Sequence, residues 1–301
     1  MKLKNLLITL SLFIAFASAY GSGAMDAELV NTQQIRLDSV ESVEVHYFAD
    51  DITIFQGTSE YLELREYMTE KNKRYYADIR ETGNQVFIES GNRPELHFGT
   101  FHSYVEIYLP AFYRGDLSVE IASGDLESSD SFTFAKGTFK VSSGDLFFSA
   151  IQAQILSFET NSGQIAADWI SAENISVDAD SVEVTIGKAE GNMNIQVNSG
   201  EITVGELRGA VNARINSGSI ECTVADLSGN IDLAARSGSV HLTLPRPSEF
   251  AFSAKAESGR ISTPFEEYLT GKPRDLSGKV GNSDTIRVDL ETTSGNIEVD
   301  W

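Results

Sequence analysis

A Ser-Gly pair, then any residue, then an aliphatic one recurs through the second half of the chain. The copies are ASGDL, SSGDL, NSGQI, NSGEI, NSGSI, RSGSV, ESGRI and TSGNI. Their glycines are Gly124, Gly144, Gly163, Gly200, Gly218, Gly238, Gly259 and Gly295, at spacings of 20, 19, 37, 18, 20, 21 and 36 residues. Self-similarity at a fixed short period is the signature of a repeat architecture. The two long gaps are each about double the others. The first holds a degenerate copy, NISVDADSVEVTI, with Asp180 read in the glycine position. The second holds an insertion, TPFEEYLTGKPRDLSGKVGNSD, at residues 263–284. From about residue 115 to 301 the chain therefore reads as about nine copies of one unit near 20 residues long.

Within a unit the apolar residues alternate. Around Gly218 they are Val211, Ala213 and Ile215 before it, and Ile220, Cys222 and Val224 after it. A period of two over short aliphatic runs means strands with one buried face, whereas a helix would scatter these residues around its axis. Each unit is strand, Ser-Gly corner, strand and a looser polar turn. Glycine suits a corner of positive φ and serine can bond the neighbouring backbone. Because equivalent positions are alike from unit to unit, stacking like on like in a parallel β-solenoid is favoured over an antiparallel meander. In that arrangement the sole cysteine, Cys222, points inward in the column of Phe148, Val184, Val204 and Leu242, as a small hydrophobe rather than a reactive thiol.

The repeated Ser-Gly-x-[Ile/Leu/Val] units resemble a bacterial putative-adhesin family of unknown function built from β-strand repeats. The ending GKVGNSDTIRVDLETTSGNIEVDW is similar to that family's closing pattern, and IRLDSVESVEVHYFADDITIFQG to its entry strands. The resemblance covers roughly residues 35–301 and implies an all-β, right-handed, single-stranded parallel β-helix.

Three regions are expected. Residues 1–19 have two lysines, an apolar run and Ala17-Ser18-Ala19, the pattern of a signal peptide. Residues 20–110 are strand-rich without the Ser-Gly period and read as irregular entry coils capping the solenoid, with TEKNKRYYADIR as an exposed hairpin. Residues 111–301 form the solenoid, closed at its far end by Trp301 and the insertion. Export to the periplasm, the cell surface or beyond follows from the leader. No later segment is apolar enough to insert in a membrane.

The formal charge is −21, and −23 once Lys2 and Lys4 leave with the leader. Nucleic acid and anionic lipid are excluded as partners by repulsion. The strongest chemical candidate is the outward row after each corner: Asp125, Asp145, Gln164, Ser181, Glu201, Ser219, Ser239, Arg260 and Asn296. Asp125 and Asp145 on adjacent coils could share a cation or a proton, as in calcium sites and glycosidases, but a solvated face serving solubility explains them as well. Glu95, His97 and His102 are near one another in sequence without metal-ligand spacing. Arg114-Gly115-Asp116 is read as a chance tripeptide. Arg214, Arg236 and Arg260 fall in different columns, against a carbohydrate-cleaving site. No catalytic, cofactor-binding or metal-ligating residue is therefore assigned. The expected function is a non-catalytic adhesin or binding scaffold for an extracellular glycan or protein. A carbohydrate-active β-helix enzyme and a structural envelope protein are the alternatives.

Overall fold

The computed structural model describes residues 27–94, 101–282 and 285–301. The expected leader lies outside them. The described chain is all-β, its one helical element a 3-10 turn at Glu266–Tyr268. None of the described helical structure is long and apolar enough to cross a membrane. The N-terminal strands are β1 (Glu28–Arg36), β2 (Ser42–Ala49), β3 (Asp51–Gly57), β4 (Tyr61–Met68), β5 (Asp78–Thr82), β6 (Gln85–Glu89) and β7 (Ser103–Pro110). The body comprises β8 (Asp116–Ser123), β9 (Leu126–Thr133), β10 (Lys136–Ser143), the continuous ribbon β11 (Leu146–Asp226), β12 (Ile231–Ser237) and β13 (Val240–Thr243). The C-terminal strands are β14 (Phe250–Ser258), β15 (Ile261–Ser262), β16 (Leu269–Lys272), β17 (Asp275–Val280), β18 (Arg287–Ser294) and β19 (Ile297–Asp300).

Successive units pair in parallel with like over like. Val211 lies opposite Ile231 and Ile215 opposite Ala235, while beyond the corner Ile220 faces Val240 and Cys222 faces Leu242. All of these side chains are buried, so the alternation places one aliphatic column over the next in a continuous core. The corners stack too: Ser123 pairs with Ser143, Ser143 with Ser162 and Ser217 with Ser237. At Gly218 a glycine is required on two counts. Gly218 has φ +134°, and a Cβ on it would lie 1.7 Å from the Gly200 carbonyl oxygen of the rung below.

The degenerate copy is corrected by the register. A Cβ on Gly200 would meet the carbonyl of Val182, while Asn198 Nδ2 donates to Asp180 Oδ1 at 2.8 Å. Val182, buried, therefore holds the glycine position, and Asp180 stands two places before it. It follows that Glu183, not Ser181, continues the outward row, and that Ile186, not Val184, shares the column of Cys222. The thiol is buried, and burial pushes its pKa up to about 12. Cys222 is expected to resist thiol reagents until the protein is denatured. Cys222→Ser should cost about 1–3 kcal/mol by burying a hydroxyl among aliphatic side chains. Rapid labelling of the native protein would refute that placement.

At both ends the order of rungs in space departs from their order in the chain. β2 lies between β6 and β8, and β3 between β7 and β9. Likewise β18 lies between β12 and β14, and β19 between β13 and β15. The outermost rungs are then covered by antiparallel strands, a departure from a purely parallel helix. These are β4 on β7, β1 on β4 and β5 on β6 at one end, and β17 on β14 with β16 on β17 at the other. Capping of this kind removes bare parallel edges that would recruit other chains. Residues 69–77 form a loop rather than a hairpin; β5 finds its partner in β6. The insertion supplies β16, β17 and Phe265. That ring packs 5.0 Å from Phe252 and 5.3 Å from Trp301, and closes the core at the far end.

Candidate functional site

Towards both ends the row after the corners is a backbone-capping ladder. Asp125 N–H donates to Asp51 Oδ1 at 3.0 Å, Asp145 N–H to Asp125 Oδ1 at 2.8 Å, and Gln164 N–H to Asp145 Oδ1 at 2.8 Å. At the far end Asn296 N–H donates to Ser239 Oγ at 3.3 Å and Arg260 N–H to Asn296 Oδ1 at 3.0 Å. At these five corners the chain turns at the glycine, and the next N–H finds a side-chain oxygen of the neighbouring rung. Aspartate, asparagine and serine fit because each carries an acceptor one or two bonds from Cβ. Burial raises the Asp145 pKa above its ordinary value, with the Gln164 N–H pulling the other way and the Asp125 charge adding to the rise.

This geometry predicts that Asp125→Asn with Asp145→Asn keeps both caps and leaves the response to millimolar calcium equal to that of wild type. Asp125→Ala with Asp145→Ala should lose about 1 kcal/mol per cap, the smaller figure suiting exposed bonds. Melting curves with calcium and with sodium chloride of matched ionic strength test this. A calcium-specific rise abolished by the asparagine pair would restore a metal site.

The other sequence candidates are placed as follows. His102 is exposed, and its backbone N–H donates to Thr69 Oγ1 at 3.1 Å; Glu95 and His97 lie outside the described residues. Among the described residues no three metal-ligating side chains converge. Arg114-Gly115-Asp116 is tied into the turn entering β8. Arg114 Nη1 donates to the Ala111 carbonyl at 2.8 Å, and Asp116 N–H to the Glu41 carbonyl at 2.7 Å.

Two recesses among the described residues bear on function. One is at the first corner of the N-terminal end, a cavity of about 430 Å³ whose lining includes Phe48, Asp50, Asn92, Arg93, Phe101 and Ser103. Its floor is a buried ionic cluster. The Arg93 guanidinium bridges the carboxylates of Asp50 and Glu66, both with fully buried side chains, and stacks 5.0 Å from the Tyr47 ring centroid. Glu66 also accepts from Asn31 Nδ2 at 2.7 Å, from Ala77 N–H at 2.9 Å and from the Tyr47 hydroxyl at 3.2 Å. Asp50 Oδ1 accepts from Ser103 Oγ at 2.5 Å. Burial, reinforced by the Glu66 charge, pushes the Tyr47 hydroxyl well above its ordinary pKa, so it stays a donor. Alternation within YLELREYM did signal this cluster, because Glu66 falls on the inward parity of Leu62, Leu64 and Met68.

The second recess, also about 430 Å³, runs across the rungs of the ribbon β11. Glu159, Asp178, Gln196 and Arg214 line it, and beside them Asn216 Nδ2 donates to Asn198 Oδ1 at 3.0 Å. Its walls are donors and acceptors repeated at the strand spacing of about 4.8 Å.

Residues 40–300 match the family described as Toastrack DUF4097. The chain belongs to that family. No curated protein matches it. Similar solved structures include a putative adhesin from Bacteroides fragilis, with 15% identity over 89% of this chain and 96% of that one, at a TM-score of 0.46. A putative adhesin from Parabacteroides distasonis shares 10% identity over 91% and 98% of the two chains, at a TM-score of 0.46. A putative cell adhesion protein from Clostridium sporogenes shares 10% identity over 91% and 99%, at a TM-score of 0.28. In this Toastrack DUF4097 chain the period-two repeat and the capped ends make a β-solenoid-like fold.

Proposed function

We propose that this Toastrack DUF4097 protein is an exported, non-catalytic, adhesin-like binding scaffold, and that its solenoid presents an extended polar face to a glycan. The reading includes a leader at 1–19, entry coils at 20–110 and a right-handed solenoid of about nine coils at 111–301. The observation that carries it is the polar recess of Glu159, Asp178, Gln196, Arg214 and Asn198. Neighbouring rungs offer carboxylate, amide and guanidinium groups in register, which suits a ligand that repeats hydroxyl groups along its length.

A glycan screen of the mature chain tests the proposal. Binding of at least one oligosaccharide is expected, weakened about tenfold or more by Arg214→Ala with Asn198→Ala, a loss of about 1.4 kcal/mol. No binding across the screen, or equal binding by the double variant, would overturn it.

A further inference from the structure

We propose that the cavity at the first corner is a recognition pocket for a protonated primary amine on an apolar stem, the lysine side chain of a basic polypeptide partner. It lies apart from the polar recess and stands or falls independently of the glycan reading.

Charge is the first observation. The carboxylates of Asp50 and Glu66 have side chains 0% exposed and share the single guanidinium of Arg93. Among the described residues two buried carboxylates thus share one largely buried guanidinium, where charge is normally matched, and Asp51 and the exposed His102 lie on the same cavity. The second observation is an orphan acceptor. Asp50 Oδ1 is engaged by Arg93 and Ser103, but Asp50 Oδ2 is buried with no hydrogen-bond partner, and Asp50 lines the cavity. Buried polar atoms left unpaired are uncommon enough to call for an explanation. An ammonium group supplies both the missing donor and the missing charge.

The third observation concerns the rim. Phe48 is 69% exposed and, with Phe101, borders the same cavity. Aromatic faces accept an alkyl stem and attract the cation it carries. The choice of lysine over arginine follows from geometry. A guanidinium favours a bidentate carboxylate, and Asp50 has one oxygen left, which suits a compact point charge. A neutral sugar could donate to Asp50 Oδ2 but would leave the charge unmatched. A net charge of −21 adds long-range attraction for a basic partner.

Calorimetric or NMR titration of the full chain at low ionic strength with Nα-acetyl-lysine methylamide tests the proposal. Saturable binding in the millimolar range is expected. Acetylation of the probe's ε-amine, or Asp50→Asn in the protein, should weaken binding about tenfold or more, because each removes one partner of a buried charge pair. Phe48→Ala, at an exposed position that leaves folding intact, should weaken it about threefold, as loss of one exposed cation–π contact implies. Arg214→Ala with Asn198→Ala should bind the amine as wild type does, whatever happens to glycans. Glucosamine or glucose binding more tightly than the lysine probe would reassign the pocket to sugars and overturn the proposal. Equal binding of the acetylated probe would overturn it, as would no saturable binding to wild type. If Asp50→Asn fails to fold, the acetylated probe and Phe48→Ala decide, and unchanged affinity in both refutes it.

Discussion

Arg93→Ala is expected to destabilise the N-terminal end of the solenoid by about 3–5 kcal/mol, the usual cost of removing one partner from a buried ion pair. The Arg93 side chain is 9% exposed and those of Asp50 and Glu66, whose carboxylates it bridges, are 0% exposed. Without it both would be buried charges with only neutral donors. The loss should depend on pH in a defined sense. Burial already raises the Glu66 pKa above the ordinary carboxylate value, opposed by the bonds from Asn31, Ala77 and Tyr47. Removing Arg93 raises it further. A carboxylate whose folded pKa is raised adds stability below its unfolded value, and that stability is lost as pH climbs through the folded value. The deficit of Arg93→Ala relative to wild type should therefore be largest near neutrality and shrink on acidification towards pH 5. Urea midpoints of both proteins at the two pH values measure this. A deficit below about 1 kcal/mol, as for exposed pairs, or one independent of pH would refute the account.

Gly218→Ala should cost about 3 kcal/mol or more. A side chain at φ +134° carries roughly 1–3 kcal/mol of backbone strain, and the new methyl must also displace the Gly200 carbonyl, 1.7 Å from its position. The same substitution at Gly83 is the control. There φ is +64° and nothing lies within 4 Å of the added Cβ, so only the left-handed penalty of about 1–2 kcal/mol remains. Equal losses at the two positions would mean that stacking between rungs contributes little, and that only local turn geometry demands glycine.

Much of the solenoid was legible because one short element recurs and each copy repeats the same alternation. The inward placement of Cys222 and the stacked serines follow from counting alone. The misread copy shows what counting lacks. In DADSVEV the aspartates look like corner residues, but the corner serine persists as Ser181, and Val182 after it turns inward. Following the serine rather than seeking a glycine substitute would have given the register. The function of the outward row was missed for a different reason. Alternation tells which residues face solvent, but not that an exposed aspartate accepts a hydrogen bond from the next rung. Nor could alternation reveal that β2 leaves β6 behind it and lies against β8, because partner choice between distant strands leaves no local trace.

At one end of this ladder the outermost strands are not the last ones of the chain. The last strands, β18 and β19, are held between earlier ones, so they have neighbours on both sides. A rod locked in this way cannot grow by appending a repeat at the carboxyl terminus, since the new strand would have no open edge to extend. Gene duplication could lengthen it only within the central rungs, from β8 to β13, where a copied unit meets like on both faces. An added central rung would lengthen the molecule and leave its two closures, and the cavity built into one of them, as they are.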